Sequence, residues 1–265
     1  MIENFKFKKQ FGQNFLTDTN LLASIVRDSK IDENSTVVEV GAGAGALTSE
    51  ICNVAKKVVA FEIDLDLKDY LTNKFAETKN LQIVFCDALK LSNSEINEIA
   101  KNKFHLIANL PYYITTPLIF KFLENENCLS LTIMVQKEVA SRIVAKPSTK
   151  DFGILTAKLN AFANCEICRI VSRKLFTPMP NVDSAIVRIE KKSFNFNAEI
   201  FNKIIDKAFS MRRKTLQNNL CNNFISKEEF FEICSKLSIS TSVRAEALEV
   251  EDFINISKLV EQIRQ

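Results

Sequence analysis

Several features are scarce or missing in this sequence. Its 265 residues include no tryptophan, one histidine, five glycines and five prolines. No segment approaches the roughly 18 consecutive apolar residues that a membrane span requires, and Met1–Lys6 lacks the apolar core of a secretory signal. With 46% hydrophobic and 25% charged residues, the composition excludes a disordered chain, a collagen-like fibre and a disulfide miniprotein. We therefore expect a cytoplasmic globular protein with no membrane segment.

The seven cysteines do not indicate a disulfide framework or a metal site. An odd number cannot all pair within one chain, and cytosolic thiols are kept reduced. Cys165 and Cys168 form a C-x-x-C sequence, but a zinc site needs four ligands and no second pair follows. The only histidine, His105, falls in a predicted strand and is interpreted as a core or sheet-edge residue. We expect no bound metal.

The net charge of +3 conceals an uneven distribution. Residues 1–136 hold 14 basic and 17 acidic side chains, residues 137–216 hold 16 and 7, and residues 217–265 hold 5 and 8. A basic middle section between acidic flanks predicts one positive face, which suits a polyanionic partner such as nucleic acid. A solvated lysine-rich surface would have the same charges, so this observation alone leaves both interpretations open.

Strand-like and helix-like segments alternate through the first part of the chain. Short β-branched or apolar runs have the character of strands buried on both faces, and the amphipathic stretches between them are long enough for crossover helices. This alternation predicts an α/β fold, with a parallel sheet covered by helices and two later runs completing seven strands. The runs lie at residues 36–40, 57–62, 81–85, 104–108, 129–135, 164–171 and 184–190.

The sequence pattern changes after Lys192. Apolar residues then recur at helical spacing, and Ser226–Glu229 has the form of a helix capping box. No glycine or proline follows Pro180. We therefore predict two domains: residues 1–191 and a small all-helical domain of residues 192–265.

The first predicted strand runs directly into a glycine loop, Gly41-Ala-Gly43-Ala-Gly45. Glycines at such a turn let the backbone pass close to a ligand, where a doubly wound sheet opens its crevice. Glu62 ends the next strand about 20 residues later, where a carboxylate can accept both ribose hydroxyls of an adenosine cofactor. Asp87 ends the third strand and is suited to the adenine amine. The loop also satisfies the dinucleotide pattern G-x-G-x-x-G/A, so NAD and S-adenosylmethionine both stay possible.

The fourth strand ends in Asn109-Leu110-Pro111-Tyr112, which resembles the catalytic loop of methyltransferases acting on exocyclic base amines. The N6 lone pair of adenine is delocalised into the ring and is a weak nucleophile. If the Asn109 side-chain oxygen and the Leu110 carbonyl accept its two N–H groups, the nitrogen can turn pyramidal towards the methyl donor. Pro111 holds that carbonyl through its restricted φ, and Tyr112 offers a face on which the base stacks. The loop therefore favours methyl transfer over hydride transfer.

Several further segments resemble those of the same kind of methyltransferase. They are Lys9–Leu16, Gln136–Ala140, Leu175–Ser184, Arg212–Leu220 and Arg244–Leu248. Over about residues 8–260 the chain resembles the KsgA (RsmA) family of small-subunit 16S rRNA adenine dimethyltransferases. Members of that family place two methyl groups on N6 of each of two adjacent adenosines near the 3′ end of 16S rRNA.

The resemblance implies a fold, a cofactor and a set of site residues. The fold is the Rossmann-like seven-stranded sheet of class I methyltransferases with a helical RNA-binding domain, and the cofactor is S-adenosylmethionine. The residues implied to contact the cofactor are Asn14, Leu16, Gly41, Gly43, Glu62, Asp87 and Asn109. The resemblance also suggests that Phe176 packs on the target base opposite Tyr112, whereas the residues alone would favour a core or loop-anchoring aromatic.

The implied partner is 16S rRNA in the 30S ribosomal subunit or its precursor, bound by a monomeric enzyme. Arg212, Arg213 and Lys214 fall in the basic section and are expected to neutralise rRNA phosphates, which makes binding salt-dependent. A charged helix start without an RNA contact is the alternative for these three residues.

Three alternative functions stay open on the sequence. The related Erm type methylates an adenosine of the large-subunit RNA, although Arg212–Leu216 and residues 244–253 favour the small-subunit enzyme. An RNA-binding assembly or transcription factor without turnover is disfavoured by the intact loop at Asn109. A NAD-dependent oxidoreductase rests on the glycine spacing alone.

Overall fold

The computed structural model describes residues 15–16, 18–109, 112–221 and 224–264. These residues form two compact units. The first unit holds the described residues up to Ala140 together with Glu166–Lys191. The second unit holds Ser141–Cys165 together with the described residues from Lys192 onward.

The first unit is built on one large sheet. In chain order the strands are β1 (Phe15–Leu16), β2 (Thr36–Val40), β3 (Lys57–Glu62), β4 (Leu81–Phe85), β5 (Phe104–Asn109), β6 (Cys128–Gln136), β7 (Ala163–Val171), β8 (Phe176–Thr177) and β9 (Ser184–Lys191). Seven of them form the sheet, in the order β4-β3-β2-β5-β6-β9-β7. These seven strands coincide with the predicted runs to within one residue at each end. β1 and β8 pair separately as a two-stranded antiparallel sheet.

The strands from β4 to β6 run parallel, as the alternating segments predicted, whereas β9 runs antiparallel to β6. Ser184, the first residue of β9, pairs with Gln136, the last residue of β6. The chain therefore re-enters the sheet at the edge where β6 ends. A parallel partner would need a crossover of about a dozen residues or more to reach the opposite edge. Residues 172–183 connect β7 to β9, are all described, and contain only a three-residue 3₁₀ turn and β8. They include no α-helix that could provide such a crossover, so β9 runs antiparallel.

Burial on both faces explains the composition of the central strands. All five residues of β2 are buried, and five of the six residues of β3 are buried as well, which is why both strands consist mainly of apolar residues. The helices of the first unit are α1 (Thr19–Asp28), α2 (Ala46–Cys52), α3 (Lys68–Lys74), α4 (Asn93–Ala100) and α5 (Thr115–Glu124), followed by α6 (Lys137–Ile143), which runs into the second unit. α1 begins at Asp18, whose carboxylate accepts the Leu21 N–H at 2.9 Å.

The second unit consists mainly of helices. They are α7 (Ile154–Phe162), α8 (Ala198–Ala208), α9 (Leu216–Leu220), α10 (Lys227–Leu237) and α11 (Val250–Arg264). The predicted capping box is confirmed: Ser226 and Glu229 bind each other's backbone N–H groups at the start of α10. Phe201, Phe230 and Phe253 are fully buried in the core that the helices share.

The second unit begins earlier in the chain than the predicted domain boundary. The break after Lys191 coincides with the predicted boundary. Ser141–Cys165, which the sequence pattern assigns to the first domain, belongs instead to the helical unit. Ala157 and Ala161 of α7 lie in the same core as Phe201 of α8 and Phe253 of α11. Residues 163–165 also begin β7, whose predicted run is 164–171.

Cys165, Cys168 and His105, which the sequence analysis interprets as structural residues, all lie in strands of the large sheet. Cys165 and Cys168 are free thiols within β7. His105 lies in β5, between β2 and β6 and therefore not at a sheet edge, and its Nδ1 is 2.8 Å from Ser130 Oγ. Within the described part of the chain, no helix has the length and apolar character needed to cross a membrane.

Candidate active site

The predicted cofactor residues lie at one edge of the sheet. β4, β3, β2 and β5 are adjacent and parallel, so their carboxyl ends meet at the same edge. From β2 the chain continues to β3 on one side, whereas β5 lies on the other side. The strand order therefore reverses between β2 and β5, and ligands bind at such a point in open α/β sheets. Gly41 follows β2 and Asn109 ends β5, so both residues lie at this crevice.

The glycine loop adopts backbone angles that favour glycine. Gly41, Gly43 and Gly45 have φ values of +83°, +54° and +71°, where other residues are strained. A β-carbon on Gly41 would lie 3.9 Å from the backbone oxygen of Asn109, and a β-carbon on Gly45 would lie 2.5 Å from the Phe75 ring. The loop thus approaches the end of β5 on one side and packs tightly against residue 75 on the other.

Glu62 is the acid that contacts this loop. Its side chain is buried, and its two oxygens accept the N–H groups of Gly43 (2.7 Å) and Asp64 (2.8 Å). Burial raises the pKa of Glu62, while backbone N–H groups of Asp64, Gly43 and Ile63 oppose that rise. Each carboxylate oxygen has two lone pairs, so each one can still accept a hydroxyl. The geometry therefore fits the two adjacent ribose hydroxyls of an adenosine cofactor.

Asp87 lies two residues beyond β4 and is half-buried. Its Oδ1 accepts the Leu89 N–H at 3.0 Å, and its backbone oxygen accepts the Lys90 N–H at 3.0 Å. These bonds close a tight turn and fix the carboxyl group next to the strand end. Asp87 is therefore on the same sheet edge as Glu62, one strand further out.

The catalytic loop is described at its two ends. Asn109 is half-buried at the end of β5 and pairs with Met134 of β6. Leu110 and Pro111, predicted to orient the amine, lie outside the described residues. The backbone of Tyr112 begins a 3₁₀ turn that ends at Ile114 and leads into α5.

The N-terminal motif and the Phe176 segment are brought together. Leu16 of β1 pairs with Phe176 of β8, and both side chains lie in the core beneath α1 and α2. Phe176 is only 4% exposed, so in this arrangement its ring anchors the loop. Its stacking on a target base stays a prediction. Asn14 lies outside the described residues.

The predicted RNA-binding residues occupy an exposed turn between α8 and α9 of the second unit. Arg212 donates to the backbone oxygens of Lys150 and Phe152 and pairs with Glu246 at 3.4 Å. Arg213 and Lys214 are exposed in the same turn. Arg212 is therefore held by partners within its own unit.

Two charged residues near the glycine loop, Glu39 and Lys74, were not predicted from the sequence. Glu39 of β2 is completely buried, and its carboxylate oxygens make no hydrogen bond of ordinary geometry among the described residues. Burial raises the pKa of Glu39 to about 8 and the charge of Glu62 adds to the rise, while the neighbouring Thr48 hydroxyl and the charge of Lys74 oppose it. The lone charge in the apolar run Thr36–Val40 was a signal that could have identified Glu39. Lys74 had no comparable signal, because its contacts are to backbone oxygens.

The family comparison covers almost the entire chain. The family model described as "Ribosomal RNA adenine dimethylase" matches residues 4–262. The chain is 40% identical to the ribosomal RNA small subunit methyltransferase A of Clostridioides difficile, over 97% of this chain and 92% of that protein. It is 41% identical to the protein of the same name from Clostridium acetobutylicum, over 96% of this chain and 94% of that protein.

Solved structures show the same similarity. A dimethyladenosine transferase from Plasmodium falciparum has a TM-score of 0.82 and 27% identity, covering 94% of this chain and 98% of that chain. The 23S rRNA methyltransferase ErmE has a TM-score of 0.75, covers 94% of this chain and 100% of that one, and is 24% identical. At that identity the similarity to ErmE concerns the fold.

Proposed function

The chain belongs to the ribosomal RNA adenine dimethylase family, and we propose that its substrate is a pair of adjacent adenosines near the 3′ end of 16S rRNA, each dimethylated at N6. It is an S-adenosylmethionine-dependent rRNA adenine dimethyltransferase. We place its substrate in the 30S subunit or its precursor, and propose that it acts in the cytoplasm as a monomer. This role makes it a ribosome-biogenesis enzyme.

One observation carries the assignment of the site. Gly43 donates to Glu62 at 2.7 Å, and Gly41 lies against the backbone of Asn109, so the glycine loop connects the acid of β3 to the end of β5. S-adenosylmethionine supplies the methyl group when bound. Gly41, Gly43 and Glu62 would hold it at this edge of the sheet, with Asp87 binding the adenine amine. Further contacts would come from Leu16 and Asn14.

Asn109 would act on the target adenine. Its side-chain oxygen and the Leu110 carbonyl would accept the two N–H groups of the amine and orient the nitrogen lone pair. Positioning and stabilisation of the developing positive charge then account for most of the rate, so no strong general base is needed. Pro111 would hold the Leu110 carbonyl, and Tyr112 and Phe176 would pack on the base.

The turn at residues 212–214 would contact the rRNA backbone. Arg213 and Lys214 are exposed, which suits phosphate contacts that are salt-dependent. Arg212 makes its contacts to Lys150, Phe152 and Glu246, and these contacts favour a role in holding the turn. The direct phosphate contacts are therefore assigned to Arg213 and Lys214, and Arg212 supports the turn that presents them.

Labelled S-adenosylmethionine with unmethylated 30S subunits, and separately with 50S subunits, tests this function. We expect dimethyladenosine, identified by mass, in 30S subunits alone. Asn109→Ala should abolish the product while leaving the binding of S-adenosylhomocysteine measurable. Asn34→Ala, at an exposed turn before β2, serves as the matched control and should stay active. Label in 50S subunits alone would move the protein to the Erm type, and no transfer to either would indicate an RNA-binding factor.

A further inference from the structure

Lys74, the last residue of α3, contacts the glycine loop from outside the cofactor site. Its ammonium donates to the backbone oxygens of Ala44 at 2.8 Å and Gly45 at 3.0 Å. These residues directly follow Gly43, whose N–H binds Glu62. The contacts of Lys74 thus lie one and two residues beyond Gly43, whose hydrogen bond joins the loop to the cofactor-binding acid.

Phe75 reinforces the same contact. A β-carbon on Gly45 would lie 2.5 Å from the Phe75 ring, and the Lys74 ammonium lies 5.1 Å from the centre of that ring. Gly45 is the N-cap of α2 and has no side chain to bond the first turn. The end of the loop is therefore held by α3 rather than by a capping side chain.

We propose that Lys74 is a positioning residue for S-adenosylmethionine binding. By holding the backbone oxygens of Ala44 and Gly45, it keeps the loop in the conformation in which the Gly43 N–H meets Glu62. A loop ordered before the cofactor arrives reduces the entropic cost of binding. Lys74 bonds the loop backbone and none of the side chains assigned to the target base. Its loss should therefore weaken cofactor binding and leave the methyl-transfer step unchanged.

Lys57 provides a matched control within the same unit. Its ammonium also donates to two backbone oxygens, those of Ile99 and Ala100, each at 3.0 Å. It lies at the amino end of β3, whereas Glu62 lies at the carboxyl end of that strand. A lysine–carbonyl contact is thus present at both positions, but only the contact of Lys74 adjoins the glycine loop.

Calorimetric titration of the whole protein with S-adenosylhomocysteine tests the proposal without any ribosomal substrate. We expect Lys74→Met to raise the Kd about tenfold, because two charge-assisted hydrogen bonds to the loop are lost. Lys74→Arg, which keeps the charge, should have a Kd within about threefold of that of the parent protein. Lys57→Met should change the Kd by less than about twofold. In assays with 30S subunits, Lys74→Met should raise the KM for S-adenosylmethionine and keep kcat and the KM for 30S.

Three results would overturn the proposal. They are an unchanged Kd in Lys74→Met, an equal loss of affinity in Lys57→Met, and a fall in kcat at saturating cofactor with the Kd unaltered. If Lys74→Met fails to fold, Lys74→Gln keeps an uncharged amide NH₂ donor at the same position and should show an intermediate Kd. An unchanged Kd in that variant counts against the proposal as well. Because the titration needs no RNA, its result is independent of which rRNA is methylated.

Discussion

Leu16 pairs with Phe176 across the two-stranded sheet formed by β1 and β8, and each side chain is only 4% exposed. The two residues lie about 160 positions apart in the sequence, in segments that were singled out for different roles. Their pairing joins the N-terminal motif to the segment expected to reach the base. The same pairing buries the Phe176 ring with Met134 and Ile186 in the core of the first unit.

Phe176 is expected to be important for stability. Phe176→Ala should lower the free energy of unfolding by roughly 3–5 kcal/mol because it leaves a cavity in a buried cluster, whereas Phe176→Leu should cost less than about 2 kcal/mol. Urea denaturation measures both. If the ring also stacks on the target base, Phe176→Leu will raise the KM for 30S subunits. An unchanged KM in this folded variant would restrict the residue to anchoring.

Glu62→Gln should weaken cofactor binding. A glutamine retains one acceptor oxygen, but its amide NH₂ faces either the Gly43 or the Asp64 N–H, so one of these two hydrogen bonds is lost. The NH₂ group also cannot accept a hydrogen bond from a ribose hydroxyl. Hydrogen bonds to charged groups contribute about 1.5–3 kcal/mol, and we expect the Kd for S-adenosylhomocysteine to rise roughly tenfold to hundredfold. Glu77→Gln, at an exposed position, is the control in the same titration. Equal affinities in the two variants would contradict the role of Glu62.

Glu39 is expected to make stability depend on pH. Burial raises the pKa of Glu39 from an ordinary 4.5 to about 8 in the folded protein. The folded state therefore binds this proton more tightly than the unfolded chain, and stability is lost as the pH rises from about 5 to about 8. Glu39→Gln should flatten the stability curve in this range by up to about 1.4 kcal/mol per pH unit. Chemical denaturation at several pH values measures the slope, with the exposed Glu33→Gln as control. An unaltered slope in Glu39→Gln would show that Glu39 does not titrate there.

Substitutions of the three basic residues in the 212–214 turn should affect different properties, RNA binding for Arg213 and Lys214 and stability for Arg212. Arg213→Gln and Lys214→Gln should each reduce the slope of log Kd for 30S RNA against log salt by about one unit, since each removes a phosphate contact. Arg212→Gln should leave that slope unchanged and lower the free energy of unfolding by about 1 kcal/mol, because its bonds to Lys150 and Phe152 are lost. Filter binding at several salt concentrations and thermal melts distinguish the two patterns. A reduced salt slope in Arg212→Gln would show that Arg212 contacts an RNA phosphate as well.

The elements of the fold that depend on local sequence were predictable. β2 and β3 are short apolar runs whose character requires burial on both faces, and Ser226–Glu229 caps α10 through atoms three residues apart. The glycine loop was recognisable because positive φ values require glycine at set positions. The direction of β9 was not predictable in this way, because it depends on the edge at which the chain re-enters the sheet.

The residues of the candidate site likewise differ in whether local sequence could predict them. The strand-end positions of Gly41, Glu62 and Asn109 were predictable from sequence alone, since parallel strands bring their carboxyl ends to one edge. Lys74 acts on backbone oxygens of a loop 29 and 30 residues away, and any lysine on that helix would have the same sequence pattern.

The class of the protein can be recognised without the fold, because local periodicity, glycine positions and capping residues depend on neighbours within a few residues. Three features emerge only when the chain is folded: Ser141–Cys165 packs with the helical unit, Phe176 is buried against Leu16, and Arg212 bonds Lys150 and Phe152. Each of these depends on which distant segments meet, and contacts between distant segments are set by the packing of the whole unit rather than by the local chain.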